Sequence, residues 1–179
     1  MPGKRNIYLI GPMGSGKTAV GKELAKDLGL KFLDSDLEIE KRTGVDIPYI
    51  FEKEGEAGFR AREAAVIADL CELDGVVVAT GGGAILDNHS RARLAATGLV
   101  IYLKTEVEEQ LKRTRRALHR PLLANGNRRE TLERLAQVRA PLYAEIADIS
   151  VDTSGKRVRA VATILVTLVG KHGFAPLQK

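Results

Sequence analysis

The sequence predicts an α/β fold built on a parallel sheet, and three observations carry that expectation. Apolar runs of strand length occur at 7–10, 76–79 and 99–103, with weaker ones at 31–34 and 148–152, and each precedes a stretch of helical periodicity. The first run, Ile7-Tyr8-Leu9-Ile10, opens directly into the glycine-rich turn Gly11-Pro12-Met13-Gly14-Ser15-Gly16-Lys17-Thr18. The chain of 179 residues, 44% hydrophobic, is long enough for one core, so a single domain over 1–179 is expected.

After the first strand, glycines at 11, 14 and 16 let successive backbone N–H groups turn inward into a nest that side chains would obstruct. Such a nest binds polyphosphate. Lys17 adds a point charge for the β and γ phosphates, Thr18 a hydroxyl for Mg²⁺, and the helix starting here its positive dipole end. A plain strand-to-helix turn would not need the Lys-Thr pair directly after the last glycine. Val20, Leu24 and Leu28 then mark the core stripe of the first helix.

The short strand Lys31-Phe32-Leu33 ends in Asp34-Ser35-Asp36, at the sheet edge where ligands sit in open parallel sheets. Ser35 and Glu38 form an S-x-x-E capping box for the next helix, which leaves both aspartates to face the cleft. One would orient Mg²⁺ or accept a hydroxyl proton, and the other would bond substrate hydroxyls. Val66, Ile67 and Leu70 mark a further helix, with Cys71 in its core. Val76 to Ala79 is apolar enough to lie beside the first strand, and it ends in Thr80-Gly81-Gly82-Gly83, a triplet suited to close approach of a ligand to backbone. No aspartate of the second nucleotide motif follows this strand, and Asp34 is its natural substitute.

Residues 117–127 contain Pro121 and Asn125-Gly126-Asn127 between two helical patterns, which reads as a mobile flap over a phosphoryl donor. Arg60 and Arg139 have apolar and aromatic neighbours, so each should be partly buried and in need of an anion, a substrate carboxylate being one candidate. Val158, Val161, Ala162, Leu165, Leu168 and Val169 form the apolar face of the last helix, and 171–179 reads as a frayed tail. His89, His119 and His172 have no partners at ligand or triad spacing, which leaves them surface or structural roles.

The net charge of +5 is local. Residues 112–129 hold seven cations and no acid, leaving the rest of the chain at −2. Beside a phosphate loop, such a block suits a nucleotide, and it lacks the interleaved aromatics that a nucleic-acid surface would stack on bases. One cysteine excludes an internal disulfide, no apolar segment approaches membrane-spanning length, and basic Met1 to Arg5 lead into no signal-like run. The expectation is a cytoplasmic protein with no membrane partner.

Together the segments G-P-M-G-S-G-K-T, D-S-D-x-E-I-E-K-R-T-G, E-G-E-x-G-F-R-x-R-E, A-T-G-G-G, R-P-L-L, R-x-P-L-Y and A-D, in this order over almost the whole chain, resemble the shikimate kinase family. The resemblance implies a nucleoside-monophosphate-kinase type of fold, a five-stranded parallel sheet flanked by helices, with a lid over about 112–127. It implies transfer of the γ-phosphoryl group of ATP, with Mg²⁺, to the 3-hydroxyl of shikimate by a monomer that takes only small-molecule substrates. Gly14, Ser15, Gly16, Lys17, Thr18 and Ala19 would wrap the ATP phosphates, and Thr18 would bind Mg²⁺. Asp36, helped by the backbone of Gly82, would hold shikimate hydroxyls, while Arg60 and Arg139 would clamp its carboxylate. Asp34 would stand near the reacting hydroxyl and Mg²⁺. Arg120 would be the lid arginine, Arg113 would lie along the adenine and Lys156 near the base. Lys17, Asp34 and Arg120 are thereby the expected catalytic set. Gluconate and nucleoside-monophosphate kinases, the nearest rivals, lack the T-G-G-G strand end combined with D-S-D and G-F-R.

Overall fold

Apolar density sorts the strands. β1 (Asn6–Ile10) and β3 (Val76–Ala79) are buried along their whole length and lie side by side at the centre, whereas β2 (Lys31–Asp34) is half-exposed and takes one edge. β4 (Gly98–Lys104) pairs on the other side of β1, and β5 (Ile149–Asp152), with alternating burial, takes the far edge, giving the order β2-β3-β1-β4-β5 with every pair parallel. The structure is a computed structural model and describes residues 4–117 and 120–174. His119, Leu118 within the expected lid and residues 175–179 of the expected tail lie outside the described residues.

Helices connect the strands: α1 (Lys17–Leu28), α2 (Ser35–Thr43), α3 (Ile47–Cys71), α4 (Asn88–Thr97), α5 (Val107–Thr114), α6 (Arg128–Ile146) and α7 (Val158–Lys171). Strand alternation sends Ile7, Leu9 and Ile101 to a core under α1 and α7, where Val20, Leu24, Val161, Leu165 and Val169 meet them. Tyr8, Ile10, Val78 and Val100 point the other way, against Ile67 and Leu70 of α3, Leu94 of α4 and Tyr143 of α6. Cys71 is buried in that second core, as expected, while His89 is exposed and His172 caps the end of α7. Val158 departs from the expected apolar face of α7. It is the first residue of the helix and is 37% exposed.

α3 is two helical segments joined at Gly55, whose φ of 70° breaks the ladder and re-aims the second segment. Residues 112–114 of the expected lid belong to α5, and the irregular connection continues from there through a 3₁₀ turn at Pro121–Leu123 to Asn127, whose side chain caps α6. In register, Asp34 stands opposite Ala79 and Ala79 opposite Leu9, so the loops after β1, β2 and β3 leave the sheet level with one another.

Candidate active site

The loop after β1 has the expected nest. Gly14 and Gly16 adopt φ of 76° and 87°, and a side chain on Gly11 would bring its Cβ to 2.5 Å from the Leu103 carbonyl. Gly16 also begins α1 without any side-chain cap, and no acid stands in the first turn, so the leading N–H groups of the helix open onto the loop. Lys17 is folded back into it. Its ammonium donates to Gly11 O at 2.8 Å, Pro12 O at 2.9 Å and Ser15 Oγ at 3.4 Å, which uses all three of its N–H donors. Burial, and then the Arg120 charge, lower its pKa to about 8.

At the end of β2 the capping expectation is overturned. Asp34, not Ser35, is the N-cap of α2: its Oδ1 accepts from Asp36 N at 3.0 Å and Leu37 N at 3.2 Å. Its other oxygen accepts from the Thr18 hydroxyl at 2.7 Å, so a single carboxylate both starts the helix and orients the phosphate-loop threonine. Ser35 is displaced inward by one position, fully buried, and accepts from Gly81 N at 2.9 Å. The S-x-x-E pattern misled because the sheet pulls Asp34 into β2 and starts the helix one residue earlier than local chemistry alone would.

The glycine turn after β3 is fastened at both ends. Thr80 donates from N and from Oγ1 to Leu9 O, each at 3.1 Å, and Tyr143 of α6 donates from its hydroxyl to Gly82 O. The need for glycine comes from side chains packed against the turn. A Cβ on Gly81 would lie 2.5 Å from Glu63 Oε1 and 2.7 Å from Asp36 Oδ1, and one on Gly83 would collide with the Arg60 guanidinium. Asp36 Oδ1 and Glu63 Oε1 therefore crowd one backbone position, and both oxygens are buried without a hydrogen-bond partner among the described residues. Burial, with the Glu63 carboxylate next, raises the Asp36 pKa to about 7; burial likewise raises that of Glu63.

Arg60 and Arg139 occupy the expected partly buried positions. Arg60 Nη1 donates to Glu63 Oε2 at 2.6 Å, its guanidinium lies over the Phe59 ring, and Arg139 is 5% exposed on α6. Two adjoining pockets result. One is lined by Gly14, Gly16, Lys17, Thr18, Ala19, Asp34 and Arg113; the other by Phe51, Phe59, Arg60, Glu63, Pro121 and Arg139. Met13, Asp36, Gly81, Gly82 and Arg120 line both and form the wall between them.

Of the residues singled out in the sequence, the structure leaves two aside. The Ser15 side chain is buried behind the loop, and Lys156 stands on an exposed turn after β5, lining neither pocket. Much of the basic block is engaged internally: Arg113 with Gly14 O, Arg128 with Thr114 O, Arg129 with Glu108. The most consequential omission is Glu63. It stands three residues after Arg60, and that helical spacing puts the two on one face, a signal the sequence does carry. In the sequence, Phe59 and Tyr143 stand out only as aromatic neighbours of Arg60 and Arg139, and Met13 only as part of the phosphate-loop motif.

Among the described residues, no cluster of three or more His, Cys, Asp or Glu could cage a metal by itself. Thr18 and Asp34 nevertheless offer hard oxygen donors at the mouth of the loop, the donor set that suits Mg²⁺ completing its shell with phosphate and water.

Comparison with known proteins agrees with this geometry. The family model described as shikimate kinase matches residues 13–169. The shikimate kinase of Vibrio cholerae is 52% identical over 172 residues, covering 96% of this chain and 99% of that protein. The structure of shikimate kinase from Acinetobacter baumannii in complex with shikimate superposes with a TM-score of 0.92 at 48% identity, over 95% of each chain. That of shikimate kinase from Aquifex aeolicus gives 0.80 at 38% identity, over 93% of this chain and 98% of its own. A phosphate loop facing a two-arginine pocket across a shared wall, in a chain alike from end to end to these enzymes, belongs to the shikimate kinase family.

Proposed function

We propose that this protein transfers the γ-phosphoryl group of ATP, with Mg²⁺, to the 3-hydroxyl of shikimate, giving shikimate 3-phosphate and ADP on the route to aromatic amino acids. The observation that carries the reading is the pair of pockets with one wall in common: one built for polyphosphate, the other with two arginines for a carboxylate. Phosphoryl transfer asks for alignment and charge neutralisation, and this wall sets donor and acceptor side by side.

In this reading Gly14 to Ala19 wrap the phosphates and Lys17 exchanges a loop carbonyl for a phosphate oxygen. Mg²⁺, held at Thr18, supplies charge neutralisation across the phosphates when bound. Asp34 orients Thr18 through one oxygen and stands as the acidic group near Mg²⁺ and the reacting hydroxyl. Asp36 presents an unpartnered oxygen to the wall and so holds the acceptor's hydroxyls. Arg60 and Arg139 hold the carboxylate, the Gly82 backbone supports the acceptor, Arg120 covers both substrates, Arg113 faces the base, and Lys156 has only a peripheral contact with it. We take 1–179 as a single domain whose connection around 112–127 serves as the lid, acting as a cytoplasmic monomer without nucleic-acid or membrane partners. The internal engagement of Arg113, Arg128 and Arg129 supports the absence of a nucleic-acid surface. Among the described residues no helix is long and apolar enough to cross a membrane.

The test is ADP release with shikimate, gluconate and AMP as acceptors. Strong preference for shikimate is expected, and release without that preference would sink the assignment. Arg139→Ala should raise KM for shikimate about 10- to 100-fold, the loss of a charge-assisted pair, with a smaller change in kcat. An unchanged KM removes Arg139 from the clamp.

Asp36 also makes a pH prediction for the ligand-free protein. Its pKa is raised from 3.8 to about 7 in the fold, so the folded chain holds this proton more tightly than the unfolded chain. The associated stability is present in acid and lost as pH rises toward 7. Asp36→Asn should therefore be more thermostable than the parent, by an advantage that grows between pH 5 and 7 to a few °C and levels off above, while phosphorylation of shikimate collapses. Thermal unfolding at several pH values checks it, and an advantage that shrinks with rising pH would contradict it.

A further inference from the structure

The carbonyls on the outer side of the phosphate loop are gripped by a clasp of Thr153, which lies outside both pockets, and Arg113, which lines the phosphate pocket. Thr153 follows β5 and is 2% exposed, and its hydroxyl donates to Ser15 O at 3.1 Å. The same oxygen accepts from Arg113 Nη1 at 3.1 Å and lies 2.7 Å from Thr105 Oγ1, while Thr153 N donates to Lys104 O at 2.9 Å. Arg113 closes the clasp with Nη1 to Gly14 O at 3.0 Å, Nη2 to Thr153 O at 2.8 Å and Nε to Glu109 Oε1 at 3.0 Å. The single hydroxyl proton is shared among Ser15 O, Lys104 O at 3.2 Å and Thr105 Oγ1, and a lone pair takes Arg113, so this one group ties β4, α5 and the loop together.

In a trans peptide the C=O and the following N–H point to opposite sides. Holding the Gly14 and Ser15 carbonyls outward turns the N–H groups of Ser15 and Gly16 into the loop, where Ser15 N meets Pro12 O at 3.2 Å. Glycine cannot set these planes by itself, since at φ of 76° and 87° its lack of a side chain leaves neighbouring peptide orientations open. Within the loop, Lys17 and the Ser15 N to Pro12 O bond hold other groups, and the Gly14 and Ser15 carbonyls are bound from outside by Arg113 and Thr153.

We propose that Thr153 is a positioning residue for nucleotide binding: it fixes the Ser15–Gly16 peptide plane that aims Gly16 N–H into the nest and holds the Arg113 guanidinium beside it. It lines neither pocket and so acts through the loop and through Arg113. The proposal rests on the reading of Gly11 to Thr18 as the ATP phosphate site.

Thr153→Val keeps the volume and removes the hydroxyl; Thr153→Ser restores it. Binding of a fluorescent ADP analogue, KM for each substrate and thermal unfolding are measured for the parent and both variants. For Thr153→Val, ADP affinity and KM for ATP should each worsen about tenfold or more while KM for shikimate stays within about twofold, and Thr153→Ser should return most of the loss. Should the valine variant fail to fold, Thr153→Ala, which removes the same hydroxyl without adding a branched methyl, should weaken ADP by a similar factor. Parent-like ADP binding in Thr153→Val, equal impairment by valine and serine, or parallel rises in both KM values with lost thermal stability would each overturn the proposal. Parent protein that binds no ADP would overturn the phosphate-site reading itself, and the proposal with it.

Discussion

Lys17→Met is expected to lower kcat by about 10²-fold or more at saturating ATP and shikimate, the scale for removing a group that stabilises charge developing in a transition state. Lys17 is 9% exposed and its ammonium sits inside a ring of loop acceptors, so methionine fills the same channel while removing the charge. Its cost is therefore electrostatic, with a second part from taking the ammonium away from the Gly11 carbonyl. Thermal unfolding separates the two: a small change in Tm beside a large change in kcat assigns the loss to catalysis. The pKa of about 8 adds a sign. Above that pH the free protein carries Lys17 neutral, and binding a polyphosphate must draw a proton in, so nucleotide affinity should weaken as pH rises from 8 to 10 in the parent and stay flatter in Lys17→Met. A variant with near-normal kcat would remove Lys17 from the phosphoryl-transfer step.

Arg120→Ala is expected to have an effect of the same order, on the order of 10²-fold in kcat, through a different route. Arg120 lines both pockets, lowers the Lys17 pKa and favours ionisation of Asp36, so its charge reaches both sides of the wall. It sits on the irregular connection between α5 and α6, directly before the 3₁₀ turn at Pro121–Leu123. Losing it should reduce kcat more than it changes either KM, because its contribution is largest when charge spreads over the moving phosphoryl group. Arg120→Lys should recover only part of the rate, since an ammonium lacks the planar fork. If Arg120→Ala instead raises KM for ATP with kcat untouched, the residue is a ground-state binder and the lid role falls.

The strands and the phosphate loop were legible because their signals are local. A run such as Val76 to Ala79 has few ways to be buried other than as a central strand, and glycines at 11, 14 and 16 ahead of Lys17-Thr18 have few uses other than a nest. Arg60 and Arg139 could be marked as partly buried from their neighbours, and the family resemblance supplied the expected partner. What failed to come through was competition between local chemistry and sheet geometry. Ser35 is a good N-cap in isolation, but pairing of Asp34 with Ala79 carries the strand one residue further and hands the cap to Asp34. Within the basic block, composition could not tell Arg113 and Arg120, which line the phosphate pocket, from Arg128 and Arg129, which brace a carbonyl and an acid.

By itself the sequence determined the parallel α/β architecture, the phosphate loop and the catalogue of charged groups, since each depends on residues close together in the chain. Only the tertiary structure decided which of those groups meet. The wall shared by Met13, Asp36, Gly81, Gly82 and Arg120, the Glu63 carboxylate crowding Asp36 across Gly81, and the Thr153 grip on Ser15 join segments tens of residues apart. Their energies depend on distance and burial, and those quantities exist only once the sheet has brought its strand ends level.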